Sequence, residues 1–331
     1  MNVLVTGGAG YIGSHVVLDL LDSGHKVTVL DDLSLGFEKN VDVRAKFIRG
    51  SILSEQDLKT AFSTGPDAVI HLAAWKAAGE SMVHPEKYSI NNIMGTLKLL
   101  MAMVDSGVQK IIFSSSAAVY GYPDYLPVDE NHRTDPINYY GYTKLAIEDN
   151  FRWYSILKGI SFVSLRYFNA AGYDSQNRVT EPEQNPQNLL PIVMEVAMGI
   201  RDKLKIFGDD YNTADGTCIR DYIHVSDLAS AHTKAIHFLQ RGGKDLIVNL
   251  GTGCGHSVLE VVHEAKQITQ HPIPNEFVER RPGDPEELIA SFEMATDVLK
   301  WTPVQSGLNQ ILQTMWETLH LKNNSTKPEL I

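Results

Sequence analysis

The chain has 331 residues, 43% hydrophobic and 21% charged, with a formal net charge of -11. That is an ordinary globular composition, long enough for one large or two modest domains, and with no basic run it argues against nucleic acid as a partner. Two cysteines, Cys218 and Cys254, are too few for a disulfide framework and fit a reducing cytoplasm.

The acidity does not exclude an anionic substrate, because a few local arginines set the field of a cleft. The N-terminus runs from Met1 straight into glycines, so no secretory signal is expected. No apolar run approaches the roughly 20 residues a membrane helix needs. The expectation is a soluble protein.

Val3-Leu4-Val5 reads as a buried parallel strand. Gly7-Gly8-Ala9-Gly10-Tyr11-Ile12-Gly13 follows at once, then a helical pattern over residues 14–21 closed by Ser23-Gly24. Val27-Thr28-Val29-Leu30 is a second strand that ends at Asp31-Asp32. In such a unit the glycines let backbone amides and a helix N-terminus approach a pyrophosphate. Asp31 is placed to accept hydrogen bonds from a ribose diol. A carboxylate there repels a 2′-phosphate, which favours NAD over NADP.

Further strands are expected at Phe47-Ile48, residues 68–72, 110–113 and 162–166, with helices over 90–105 and 144–157. This alternation predicts an α/β fold, a Rossmann-type doubly wound parallel sheet covered on both faces. Ligand contacts then belong at the carboxyl ends of the strands. Ala73, Ala74 and Lys76 follow one strand, Ser114-Ser115-Ser116 the next, and Tyr167-Phe168-Asn169 the one after. The serines read either as a polar cap or, through Ser116, as a hydroxyl partner for a substrate oxygen.

Tyr140 and Lys144 stand four residues apart, on one face of a helix. An ammonium beside a phenol lowers its pKa from about 10, so Tyr140 is expected to exchange a proton near neutral pH.

Beyond Ala170 the texture turns polar over 171–190, a boundary into a second, smaller α/β domain. The division expected is 1–170 and 171–331, with some later segments returning to the first part. A helix over 189–200, a strand over 204–207, a helix capped by Ser226 and a strand over 246–250 follow. Arg220 and Arg281, expected on separate loops, read either as a bidentate clamp for a diphosphate or as surface ion pairs. The polar stretch 322–328 is expected to fray.

The glycine-rich opening from Val3 to His15 resembles that of extended short-chain dehydrogenase/reductases. The resemblance is narrowed by Lys76-Ala77-Ala78-Gly79-Glu80-Ser81, by Ser114-Ser115-Ser116-Ala117-Ala118-Val119-Tyr120-Gly121 and by Arg166-Tyr167-Phe168-Asn169. Asn188-Leu189, the run from Gly216 to His224, and Arg281-Pro282-Gly283-Asp284 narrow it further. Along nearly the whole chain these look like the UDP-glucose 4-epimerase family.

That resemblance implies NAD as cofactor, a UDP-sugar as substrate, a homodimer formed through the helices at 90–105 and 144–157, and no metal. Ser116, Tyr140 and Lys144 would form the catalytic group. Gly7, Gly10, Tyr11, Ile12, Gly13, Asp31, Asp32, Ser51, Ile52, Leu72, Ala73, Ala74, Lys76, Asn91, Ser114, Tyr167 and Phe168 would meet the cofactor, with Tyr140 and Lys144. Lys76, Ser116, Tyr140, Phe168, Asn169, Asn188, Leu189, Phe207, Arg220, Tyr222, Arg281, Asp284 and Leu288 would hold the nucleotide sugar. The reaction implied is reversible inversion at C4 through a 4-keto sugar.

Three positions depart from the family pattern. Ser51 replaces an aspartate that meets adenine, Ala118 a threonine that follows the serines, and Leu288 a tyrosine or cysteine linked to N-acetylated sugars. UDP-N-acetylhexosamines and UDP-uronates therefore stand as alternative substrates. Related dehydratases need a carboxylate after the serine run, where this chain has Ala117 and Ala118. A ketone reductase would release NADH at each turnover. A non-enzymatic dinucleotide sensor would have no use for Ser116, Tyr140 and Lys144 together.

Overall fold

The computed structural model describes residues 1–184, 186–281 and 283–325. The strands are β1 (Asn2–Thr6), β2 (Lys26–Asp31), β3 (Lys46–Arg49), β4 (Ala68–His71), β5 (Lys110–Ser116), β6 (Ser161–Tyr167), β7 (Asn169–Ala171), β8 (Leu204–Phe207), β9 (Ile219–His224), β10 (Leu246–Leu250), β11 (Gly255–Ser257), β12 (Asn275–Val278) and β13 (Glu287–Leu288). The helices are α1 (Tyr11–Asp22), α2 (Glu55–Phe62), the short α3 (Ala78–Ser81) and α4 (Pro85–Tyr88), α5 (Gly95–Asp105), α6 (Tyr139–Lys158), α7 (Leu189–Ala197), α8 (Val225–Gln240), α9 (Val258–Thr269) and α10 (Leu308–Ser325).

A seven-stranded parallel sheet runs in the order β10-β6-β5-β4-β1-β2-β3. The strands are apolar on both sides because both faces are covered. Val3 and Val5 join Val16, Val17 and Leu20 of α1 and Ala231, Ala235 and Ile236 of α8 on one face. Leu4, between them, points the other way, toward Leu58 of α2, Leu99 of α5 and Phe151 of α6. This is the Rossmann-type doubly wound architecture. The carboxyl ends of β1, β2, β4, β5 and β6 come out on one rim.

The second part is built differently. β9 pairs with β7, β11 and β13, and β8 with β12. A separate core of Leu190, Val193, Leu204, Ile206, Val261 and Ile311 joins α7, α9 and α10 to these strands.

Several expectations shift. β5 does not stop at Phe113 but carries the three serines inside the strand, where Ser114, Ser115 and Ser116 pair with Leu165, Arg166 and Tyr167. β10 lies beyond the expected boundary, yet it pairs with β6 from Leu246 to Leu250 and forms the sheet's edge. α6 begins at Tyr139, five residues early, because the Asn138 side chain accepts a hydrogen bond from the Gly141 amide at 2.9 Å. The helix expected from residue 90 is a π turn over Ser89–Met94 followed by α5.

α1 starts at Tyr11, and α7 ends at Ala197, short of residue 200. Ser226 is not the cap of α8. His224 is, its Nδ1 accepting from the Ser226 amide at 3.1 Å. Arg220 sits in β9 and not in a loop. Of the stretch expected to fray, residues 322–325 form the last turn of α10, where Lys322 pairs with Glu181, and 326–328 lie outside the described residues. Pro282 of the second arginine motif lies outside them too.

Candidate active site

Between β1 and α1 the glycines have separate jobs. A Cβ on Gly13 would stand 2.0 Å from the Gly7 carbonyl oxygen, so packing alone demands glycine there. Gly10 is different: an added Cβ would meet nothing closer than the Gly7 oxygen at 3.4 Å. Gly10 is also the N-cap of α1, which has no side-chain cap and no acid in its first turn. An open helix N-terminus beside a residue with no side chain is a cradle for an anion that must come close.

A cavity opens on the same rim. Gly7, Asp31, Asp32, Ser51, Ile52, Leu72, Ala73, Ala74 and Asn91 line it together, as expected from the sequence, joined by Ser34, Leu35, Gly36 and Trp75, which were not. The Asp31 carboxylate accepts from the Ala9 amide at 3.0 Å and the Leu33 amide at 2.8 Å. Burial pushes it up from the ordinary carboxylate range, against those two bonds. The Ser51 hydroxyl accepts from the Leu53 amide at 3.4 Å, and Ile52 packs against Gly95. These residues fit a dinucleotide: an uncapped helix end for the pyrophosphate and carboxylates at the end of β2 for a ribose.

Other expected cofactor residues are placed less directly. The Tyr11 hydroxyl donates to the Gly172 carbonyl at 2.5 Å, while Ile12 packs on the main core. Lys76 forms an ion pair with Glu183 at 2.7 Å, a partner that local patterning could not reveal. The Tyr167 hydroxyl is bonded to Ser114 Oγ.

At the carboxyl end of β5, α6 meets the sheet. Ser116 lies close enough to the Tyr140 phenol to oppose the rise of its pKa, and its Oγ accepts from the Ala118 amide at 3.2 Å. The Tyr140 amide donates to Ser81 Oγ at 3.0 Å. A Cβ on Gly141 would lie 2.3 Å from the Ala118 oxygen, so glycine at this position lets α6 press onto the strand end. Lys144 donates to the Ser114 carbonyl at 2.7 Å, with its nitrogen 5.6 Å from the centre of the Tyr140 ring.

The expected acidified phenol is not what this arrangement produces. Burial pushes Tyr140 up to about 12, with only the Ser116 bond opposing. Burial also pulls Lys144 down to about 7, against the Glu148 carboxylate. Both groups move toward neutrality, because loss of water disfavours either charge.

The remaining expected residues lie in the second part or against it. Phe168, Leu288, Ala117, Val119 and Ala290 form one apolar cluster. Asn169 donates to the Asp221 carbonyl at 3.0 Å, and Tyr222 is buried beside it on β9. Arg220 pairs with Asp284 and donates to the Pro285 carbonyl at 2.7 Å. The Arg281 guanidinium lies 3.8 Å over the Phe207 ring. Asn188 precedes α7 without capping it through its side chain, and Leu189 packs on the second core.

Residues 3–251 match the model of the NAD dependent epimerase/dehydratase family. The chain belongs to that family.

This family member is similar to the UDP-glucose 4-epimerase of Halalkalibacterium halodurans, 49% identical over 317 residues that cover 96% of this chain and 95% of that one. It is 44% identical to that of Streptococcus mutans, with 96% of each chain covered. Among solved structures, the UDP-glucose 4-epimerase from Brucella ovis in complex with NAD superposes with a TM-score of 0.93 at 43% identity, over 97% of this chain and 98% of that one. The enzyme from Bifidobacterium longum in complex with NAD+ and UDP gives 0.91 at 37% identity, over 97% and 99%. Likeness across such spans carries the shared epimerase/dehydratase fold past residue 251, through the second part of the chain.

Proposed function

We propose that this protein interconverts UDP-glucose and UDP-galactose by inverting C4, with NAD held through the cycle. One observation carries the reading. Tyr140 and Lys144 of α6 meet the carboxyl end of β5 at Ser114 and Ser116, on the same sheet that carries the cavity, and the next positions, Ala117 and Ala118, hold no acid or base. A dehydratase would need a carboxylate there for a second proton.

NAD, which the residues lining the cavity would hold, would supply hydride acceptance from C4 and its return. The Tyr140 oxygen would take the C4 hydroxyl proton and give it back, while Ser116 holds the sugar oxygen in line. Lys144, anchored on Ser114, would supply the neighbouring positive charge and reach the nicotinamide ribose. Arg281 and Arg220 would hold the diphosphate, and Phe207 would press beside it. The apolar wall of Phe168 and Leu288 offers few hydrogen bonds, which leaves the hexose free to turn and present its other face.

The NAD half would comprise residues 1–170 and the nucleotide-sugar half 171–331, with β10 lent back to the first. Cys218 and Cys254 are free thiols, in keeping with a cytoplasmic setting, and no described helix is long and apolar enough to cross a membrane.

Incubation with UDP-galactose, followed by chromatography of the products, tests the activity. The expected result is UDP-glucose without net NADH; a stoichiometric rise in NADH would instead mark a dehydrogenase. UDP-GlcNAc and a UDP-uronate, run in parallel, establish which hexose is preferred.

A homodimer is part of the same reading. Ile90, Met94, Met101 and Val104 on and before α5, and Trp153, Ile156 and Leu157 on α6, are exposed, Ile156 at 73%. Apolar side chains so grouped fit a face that a second copy covers. Sedimentation velocity at micromolar concentration is expected to give a two-chain species, and a single-chain species would remove the dimer.

A further inference from the structure

Glu148 lies one turn beyond Lys144 on α6 and is wholly buried. Its oxygens accept from Arg166 Nε at 2.9 Å, Arg166 Nη2 at 2.5 Å and Ser115 Oγ at 2.6 Å. Arg166 passes its remaining arm to the Tyr120 hydroxyl at 3.0 Å, and Tyr120 donates to Asn249 Oδ1 on β10 at 2.7 Å. Packing does not require any of these charges. Buried ion pairs are often replaceable by apolar residues of similar volume without loss of stability. What the pair does is grip the middle serine of β5 from the helix that carries Tyr140 and Lys144. The flanking serines adjoin those two residues: the Ser114 carbonyl accepts from Lys144, and Ser116 opposes the rise of the Tyr140 phenol.

We propose that Glu148, held by Arg166, is a positioning residue that fixes the end of β5 against α6 and keeps a compensating negative charge beside Lys144. The inference rests on the reading of Ser116, Tyr140 and Lys144 as the proton-transfer group. The surroundings of Lys144 leave this role to Glu148. Tyr140 on α6, Tyr167 on β6 and the Phe113 ring on β5 bring no charge near neutrality. His71 on β4 is kept neutral by its burial and by Lys144 itself. Arg166 on β6 is positive and is turned onto Glu148. Glu148 alone opposes the burial that pulls Lys144 down.

The test compares Glu148→Gln, Glu148→Asp and the double variant Glu148→Gln/Arg166→Met with the parent holoenzyme. Turnover of UDP-galactose is followed against pH, and the Lys144 Cε resonance is titrated by NMR in lysine-labelled protein. In Glu148→Gln the alkaline limb of kcat and the Lys144 titration are expected to move to lower pH together, by about one unit, with KM little changed. The double variant removes the stranded arginine charge and is expected to fold with a smaller shift of the same sign. Glu148→Asp is expected to restore the parent limb.

A folded variant with the parent limb and the parent Lys144 titration overturns the proposal. So does loss of activity that follows unfolding alone in both Gln variants, because the pair would then be a packing element. Full activity in Tyr140→Phe would overturn the reading of the proton-transfer group instead, which keeps the two failures apart.

Discussion

Tyr140→Phe is expected to lower kcat for UDP-galactose by about a thousandfold, within the 10²–10⁴ that a positioned acid–base group contributes, while KM stays within about twofold. The substitution keeps the ring and removes only the ionisable oxygen, which Ser116 adjoins. Ser116 is a far weaker acid, and the Lys144 nitrogen is held on the Ser114 carbonyl, 5.6 Å from the centre of the Tyr140 ring. The burial that holds the phenol near 12 in the free protein implies that its proton is surrendered only when positive charge is brought alongside. The residual rate of the variant should therefore not recover at high pH. A variant that turns over within tenfold of the parent across the pH range would remove Tyr140 from the mechanism.

Acid should weaken the fold well before ordinary carboxylates titrate. His15, His71, His224 and His232 are all buried and neutral, and burial is in each case the largest cause. It holds His71 down at about 3 and the other three at about 4. Three of these rings tie elements together. His15 accepts from the Asp174 amide at 3.0 Å, His71 bridges Thr6 and Thr96 at 2.7 and 2.8 Å, and His224 caps α8.

In the unfolded chain these rings take up protons near pH 6.5. Their stabilisation is complete above that value and is lost as pH falls from about 6.5 toward 4, at about 1.4 kcal/mol per pH unit for each ring. Buried carboxylates such as Asp31 and Asp221, pushed up by desolvation, bind protons in the folded state and offset part of the loss. Urea unfolding at a series of pH values is expected to show a net uptake of two or more protons on unfolding between about pH 6 and 5. A stability that stays flat from pH 7 to 5 would contradict it.

The sequence carried much of this plan, and its blind spots share one physical cause. β1 and β2 were legible because a strand buried on both faces must be apolar throughout, and the glycine turn between β1 and α1 has a spacing that few other structures need. The early start of α6 was missed: the expected helix began at residue 144, and the Asn138 cap was not read. The serines of β5 were not legible as strand, because their polarity is satisfied by groups far along the chain: Ser115 by Glu148, Ser114 by Tyr167. Arg220 looked like a loop residue for the same reason. Its charge is met by Asp284, and its neighbour Asp221 is buried while accepting from Thr252, Gly253 and Ala290. The expected acidification of Tyr140 failed because spacing on a helix reports the neighbour but not the loss of water.

The edge strand β10 carries a consequence for anyone who would take the molecule apart. The sheet that cradles the dinucleotide is finished by five residues threaded back from the far side of the chain. A piece cut after residue 170 would leave the backbone of β6 bare along one side, an invitation to stick to its own kind. Transplanting the sugar-gripping portion onto another relative therefore has to carry a matching selvedge with it, since the two portions are stitched and not merely tethered.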